Sequence, residues 1–175
     1  MVIIVEGPDK VGKSTFAKGL AKEHGMLYFK RSLPGFTEGD YYRNDLMHEL
    51  NSYGQTSVLD FIKQNELDVV LDRFHLSHYV YTTCLKRNNA LMETYTVLDQ
   101  VLASIDARLI IMTAPTMFVH DDLIASEEWY KISGMYQDIA KGRLNVTDLR
   151  IAHIRAQSNF MPHYDLETYF PCTDT

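Results

Sequence analysis

At 175 residues, 46% of them apolar, the chain can fill one substantial hydrophobic core, and residues 1–175 read as one domain with no length left for a second. Its net charge of -6, from 17 basic and 23 acidic side chains, repels polyanions on average. That argues against an extended nucleic-acid-binding face while leaving room for a local basic pocket. The two cysteines, Cys84 and Cys172, stand far apart without metal or redox spacing and read as free thiols of a reducing compartment.

The opening apolar run is far below transmembrane length and lacks a basic leader, which predicts a soluble, cytoplasmic protein without a membrane partner. Residues 2–5 are continuous and β-branched, as a buried parallel strand should be. Residues 14–23 follow as a helix, with Phe16, Ala17, Leu20 and Ala21 on one face, and 26–29 as a short second strand. Pro34, Gly35 and Gly39 mark a loop. Residues 41–53 read as a helix interrupted by Gly54, with a further helix behind Val58, Leu59 and Ile62. Val69, Val70 and Leu71 form the third strand, ending at Asp72. Helices are expected over 77–84 and 89–105, and a fourth buried strand over 108–113, closed by Pro115. Residues 118–140 read as mostly helical with a break at Gly134, 144–147 as a fifth strand, and 151–158 as a helix.

Strands separated by long helical segments imply right-handed crossovers and a parallel sheet covered on both faces. Ligands of such a fold bind beyond the carboxyl ends of the strands. There the sequence places Gly7-Pro-Asp-Lys-Val-Gly12-Lys13-Ser14, a match to G-x-x-x-x-G-K-[ST] between a strand and a helix. Gly7 permits the turn out of the strand, and Gly12 lets the backbone amides of Asp9, Lys10 and Val11 point inward. Lys13 supplies charge to the β- and γ-phosphates of ATP, the Ser14 hydroxyl is placed for Mg2+, and the helix starting near Thr15 adds its dipole. Asp72, at the exit of another apolar strand, suits the metal or its bound water, and Arg73 beside it can grip phosphate oxygens in a fork. A strand-end salt bridge is the plainer alternative for that pair. The expectation is an α/β, P-loop NTPase fold: a parallel five-stranded sheet flanked by helices, with the strands 2–5 and 69–71 adjacent near its centre.

Two segments resemble the thymidylate kinase group of nucleoside monophosphate kinases. Glu6-Gly7-Pro8-Asp9-Lys10-Val11-Gly12-Lys13-Ser14-Thr15 is similar to E-G-x-D-x-x-G-K-[ST]-T. Asp72-Arg73-Phe74-His75-Leu76-Ser77-His78-Tyr79-Val80-Tyr81 is similar to D-R-Y-x-x-S-x-x-A-Y, with Phe74 for Tyr and Val80 for Ala. Lys30 to Gly35 is a weaker match to the family's R-E-P-G segment, and the likeness in order and spacing spans residues 1–82. The resemblance implies that Asp9, Arg31 and Arg73 contact an acceptor nucleotide, that Lys10 stands where one subgroup carries a catalytic arginine, and that Tyr81 lies near the sugar with Ser77 on the same segment. Tyr42, Arg43 and Tyr53, with Tyr41, are the local candidates for reading the base, against plain helix packing. The family's lid falls near 118–131, where Lys131 is the only cation.

Three functions follow. The first is an ATP- and Mg2+-dependent deoxynucleoside monophosphate kinase acting on dTMP or dUMP, in which Lys13, Lys10, Arg73 and Asp72 serve catalysis. The second is a deoxynucleoside kinase acting on a 5'-hydroxyl, which benefits from a carboxylate base such as Glu38. The third is an ATP-binding regulator without turnover. A small-molecule nucleotide is the expected partner, and a homodimer is compatible with all three. His75 and His78 fit packing or a substrate hydrogen bond better than zinc, and Trp129 with Tyr130 and Tyr136 either borders adenine or packs a helix.

Overall fold

The computed structural model describes residues 1–30, 44–85, 92–117, 124–157 and 162–171. β1 (Val2–Glu6) is buried along its whole length because it pairs on both sides, with β3 (Val69–Asp72) and with β4 (Arg108–Thr113). β2 (Leu27–Lys30) adds to β3 and β5 (Arg150–Arg155) to β4, all parallel, giving the order β2-β3-β1-β4-β5. The registers Val5↔Asp72 and Phe29↔Leu71 set the ends of β1, β2 and β3 side by side.

Period-2 alternation divides β1 between two cores. Val2 and Ile4 join the cluster that includes Leu59, Leu76, Leu98 and Ile132, under α2 (Asn44–Gln64), α3 (His75–Cys84), α4 (Met92–Ser104) and much of α5 (Ser126–Ala140). Ile3 and Val5 join the opposite cluster with Phe16, Leu20, Leu166 and Phe170, beneath α1 (Lys13–Glu23) and α6 (Leu166–Tyr169). Residues 162–171 lie over α1: Phe16 meets Tyr164 and Tyr169 at ring-centroid distances of 5.8 and 5.9 Å, and His24 Nε2 lies 2.5 Å from the Tyr164 carbonyl.

The central strands and first helix lie where the sequence puts them. Four expectations are corrected. The fifth strand is 150–155, so 144–147 is not a strand and 151–155 is not helical. α2 runs unbroken through Gly54, where a Cβ would meet nothing within 4 Å, so the glycine costs about 1 kcal/mol of propensity that α2's packing can offset. α5 likewise continues through Gly134. Among the described residues no helix is long and apolar enough to cross a membrane.

Candidate active site at the carboxyl ends of the central strands

The phosphate loop leaves β1 at Gly7, whose φ of 143° and distance of 2.0 Å from its Cβ position to the Met112 carbonyl oxygen exclude any side chain. The loop turns again at Lys10 (φ 62°) and closes at Gly12, the left-handed N-cap of α1. No side-chain hydrogen bond caps α1, so its first-turn amides are available to an anion. Lys13 is buried and donates to the Pro8 carbonyl. Burial, reinforced by the nearby Arg73 charge, drives its pKa down to about 7 against the partial compensation of Asp9, Glu6 and Asp72. Lys10 and Thr15 are exposed.

β3 ends at Asp72, and the chain must reverse into α3 within two residues. Arg73 takes a left-handed φ of 68°, a strained choice for a residue with a Cβ, and is held there by its own amide on the Val5 carbonyl at 3.0 Å. The next amide, of Phe74, donates to Glu6 Oε1 at 2.7 Å. Glu6 is fully buried yet saturated: Ser77 N at 3.2 Å shares Oε1, while Ser77 Oγ at 2.5 Å and Tyr136 OH at 3.1 Å donate to Oε2. It thus satisfies amides at the start of α3 that would otherwise be orphaned.

Arg73 Nη2 pairs with Asp9 Oδ1, and Tyr81 OH donates to Asp9 Oδ2 at 2.7 Å. Arg73 Nη2 also reaches the Tyr81 hydroxyl at 3.3 Å, with its guanidinium carbon 5.2 Å from the centre of the Tyr81 ring. Burial raises the Asp9 pKa, but the charges of Arg73 and Lys13 and the Tyr81 and Arg73 hydrogen bonds outweigh it and leave Asp9 below the usual aspartate value. Burial and Asp9 push the Tyr81 hydroxyl well above the tyrosine range despite Arg73, so it stays a proton donor.

Asp72 is 1% exposed. Tyr28 OH donates to its Oδ2 at 2.8 Å and lies within hydrogen-bonding reach of Ser14, with its pKa pushed up to about 12, first by burial and then by Asp72. Asp72 Oδ1 is buried with no hydrogen-bond partner among the described residues. An open carboxylate oxygen fits Mg2+, which takes hard oxygen ligands, commonly one or two from protein and the rest from phosphate and water. No cluster of three or more His, Cys, Asp or Glu among the described residues offers a complete protein cage.

Gly7, Asp9, Lys10, Val11, Gly12, Lys13, Ser14 and Thr15 thus lie on one loop and helix start, and Asp72, Arg73 and Tyr81 converge on it. Ser77 serves Glu6. Arg31, Tyr42 and Arg43 lie outside the described residues, as does the side chain of Tyr53, whose backbone is in α2. Of the lid segment, 118–123 lies outside them too, and Lys131 is an exposed residue of α5. His75 is a packing residue: its Nε2 lies 2.8 Å from Asp99 Oδ1 and its ring stacks on Tyr95 at 5.0 Å. Trp129 and Tyr136 are buried, while Tyr130 is 54% exposed. The motifs assign no role to Glu6, Tyr28 or the Trp129 indole, whose N–H donates to the Asp9 carbonyl at 2.8 Å. A carboxylate directly before Gly7, at the end of an otherwise apolar strand and at the first position of the E-G-x-D pattern, is the signal that could have singled out Glu6.

No protein-family model and no curated protein sequence matches the chain. Solved structures do. The YorR protein of Bacillus subtilis in complex with phosphorylated GDP has a TM-score of 0.58 at 23% identity, over 89% of this chain and 85% of that one. Deoxyadenosine kinase from M. mycoides with bound dATP has a TM-score of 0.59 at 19% identity, over 97% and 95%. Thymidylate kinase from Ehrlichia chaffeensis has a TM-score of 0.53 at 18% identity, over 95% and 93%. The chain is similar to these proteins in fold, which is that of P-loop nucleoside and nucleotide kinases.

Proposed function

We propose that this chain is an ATP-dependent kinase of deoxynucleosides, transferring the γ-phosphoryl group to a 5'-hydroxyl. The observation that carries the acceptor assignment is the commitment of Arg73 to Asp9 and Tyr81. Arg73, the cation nearest an acceptor, is thus already paired with a carboxylate before any ligand enters. The donor brings its own negative charge to Lys13 and the loop amides. A dianionic acceptor would have to draw Arg73 away from Asp9, whereas a neutral hydroxyl would not. The similarity of fold to a deoxyadenosine kinase over nearly the whole chain supports the same reading.

Each residue then has a task. Lys13 and the loop amides hold the β- and γ-phosphates, and Ser14 and Asp72 would hold Mg2+, which neutralises developing charge on the phosphate oxygens when bound. Asp9 is the carboxylate within reach of an acceptor, its side chain 33% exposed against 0% for the whole Glu6 residue and 1% for Asp72. It accepts the hydroxyl proton as the new oxygen–phosphorus bond forms and the bond between the γ-phosphorus and the β–γ bridging oxygen breaks, releasing ADP. A weak base suffices because the transition state is loose and the proton leaves late. Lys10 offsets charge on the transferring group, while Arg73 stays paired with Asp9 and holds it in place.

A second reading, the deoxynucleoside monophosphate kinase with dTMP or dUMP as acceptor, is favoured by the Asp9–Arg73–Tyr81 grouping, which brings together three positions of the thymidylate kinase resemblance. A product assay with ATP and Mg2+ over the common nucleosides and their monophosphates separates the two. Phosphorylation of deoxynucleosides is expected. Turnover confined to monophosphates, lost in Arg73→Ala, would replace the first reading by the second. Nucleotide binding without any product would support a regulator instead.

A further inference from the structure

A loop that turns its amides toward phosphate must turn its carbonyls away, and each of those carbonyls needs a donor of its own. Two donors are visible here. Lys13 serves the carbonyl of Pro8, and the next carbonyl, of Asp9, accepts from Trp129 Nε1 at 2.8 Å. Trp129 is the only tryptophan in the chain, is fully buried, and lies 120 positions from Asp9. Its helix has an uncommon position. Trp129 packs in the cluster of Val11 and Phe16, beside the loop and α1, while Ile132, Tyr136 and Ile139 of the same helix pack in the opposite cluster. Two turns after Trp129, Tyr136 donates to Glu6. α5 therefore grips the loop twice, at the carboxylate where it leaves β1 and at the peptide where it turns. The Asp9 peptide adjoins the left-handed Lys10, and the Asp9 side chain holds Arg73 and Tyr81.

We propose that Trp129 is a positioning residue: its indole N–H fixes the orientation of the Asp9 peptide, keeping the loop amides turned toward phosphate and the Asp9 carboxylate turned toward Arg73, so that α5 and the phosphate loop move as one unit. This rests on the phosphate-loop function assigned above. Without the N–H, the Asp9 carbonyl is left to find another partner, and rotation of that peptide carries an oxygen toward the anion.

The test uses Mg2+·ADP as ligand. Trp129→Phe keeps an aromatic ring in the core and removes the donor. Ile132→Val is the matched control, since it thins the packing of the same helix one turn away without a hydrogen bond to the loop. Trp129→Phe should bind ADP about tenfold more weakly than wild type, with Ile132→Val unchanged, and the wild-type tryptophan emission should shift on saturation with ADP. Equal ADP affinity in Trp129→Phe and wild type would overturn the proposal, as would an equal loss in Ile132→Val. If Trp129→Phe fails to fold, the wild-type emission decides, and an unchanged spectrum at saturation overturns it. A wild-type chain that binds no ADP would overturn the phosphate-loop reading itself, an outcome distinct from an unaltered Trp129→Phe.

Discussion

Glu6 and Asp72 end neighbouring strands, one residue apart in register, and both are buried. Glu6 accepts four hydrogen bonds, from two backbone amides and two hydroxyls, and both its oxygens are used. Among the described residues Asp72 accepts one, from Tyr28, and its other oxygen has no partner. The same functional group in nearly the same place is thus a structural pin in one case and, in the other, the oxygen proposed above to meet Mg2+. A saturated carboxylate has no lone pair left for a ligand and holds its neighbours in place. A half-satisfied one bears a desolvation cost that a cation can relieve.

The strongest way to break that comparison is to remove each charge in turn. Asp72→Asn should lower turnover by about a hundredfold to a thousandfold with an unchanged or raised Tm, because in the proposed mechanism the lost group serves the reaction, while its burial opposes folding. Glu6→Ala should lose about 3 kcal/mol of stability in urea unfolding, since it orphans the amides of Phe74 and Ser77. If Glu6→Ala folds normally and loses only activity, the division of labour is wrong.

Lys13 sharpens the contrast from the cationic side. Lys13→Met should abolish transfer in a steady-state assay while raising Tm, since a buried ammonium is removed. The pH dependence has a definite sign. The folded pKa of about 7 lies below the ordinary 10.5, so between those values the unfolded chain binds more protons than the folded one. Lys13 therefore makes stability rise with pH across that window. Urea unfolding at pH 7 and 9.5 should show a smaller rise in Lys13→Met than in wild type.

The smallest effect is expected at Tyr28. Tyr28→Phe deprives Asp72 of its hydroxyl donor without altering its charge, and should raise the Mg2+ concentration for half-maximal activity about tenfold, the usual scale for a group that orients a metal ligand. An unchanged Mg2+ requirement would separate Asp72 from the metal.

Local patterns revealed much of this architecture. β1, β3 and β4 are unbroken apolar runs because each is buried on both sides, and such runs are readable without knowing the neighbours. β5 was not readable in the same way. It pairs with β4 alone, and its residues alternate between buried Ala152 and Ile154 and exposed His153 and Arg155. Ile151 and Ile154 lie three apart, which also suits a helix, and pairing with Arg108–Thr113 settles the choice. The helix break expected at Gly54 failed for a similar reason: a glycine signals a stop only where packing does not continue past it.

The sequence by itself determined the strand–loop–helix proposed to hold phosphate, because glycines at fixed spacing and a lysine act within a few residues of chain. It also determined that Asp72 and Arg73 leave a strand at the same edge. Tertiary structure decided what each charge does there. Arg73 meets Asp9 across 64 positions, Tyr28 meets Asp72 across 44, Trp129 meets the Asp9 carbonyl across 120 and Tyr136 meets Glu6 across 130. Whether a carboxylate is saturated or open depends on these distant donors. They arrive only when the helices pack, and a hydrogen bond vanishes with a shift of about 1 Å, so no periodicity in the chain records it.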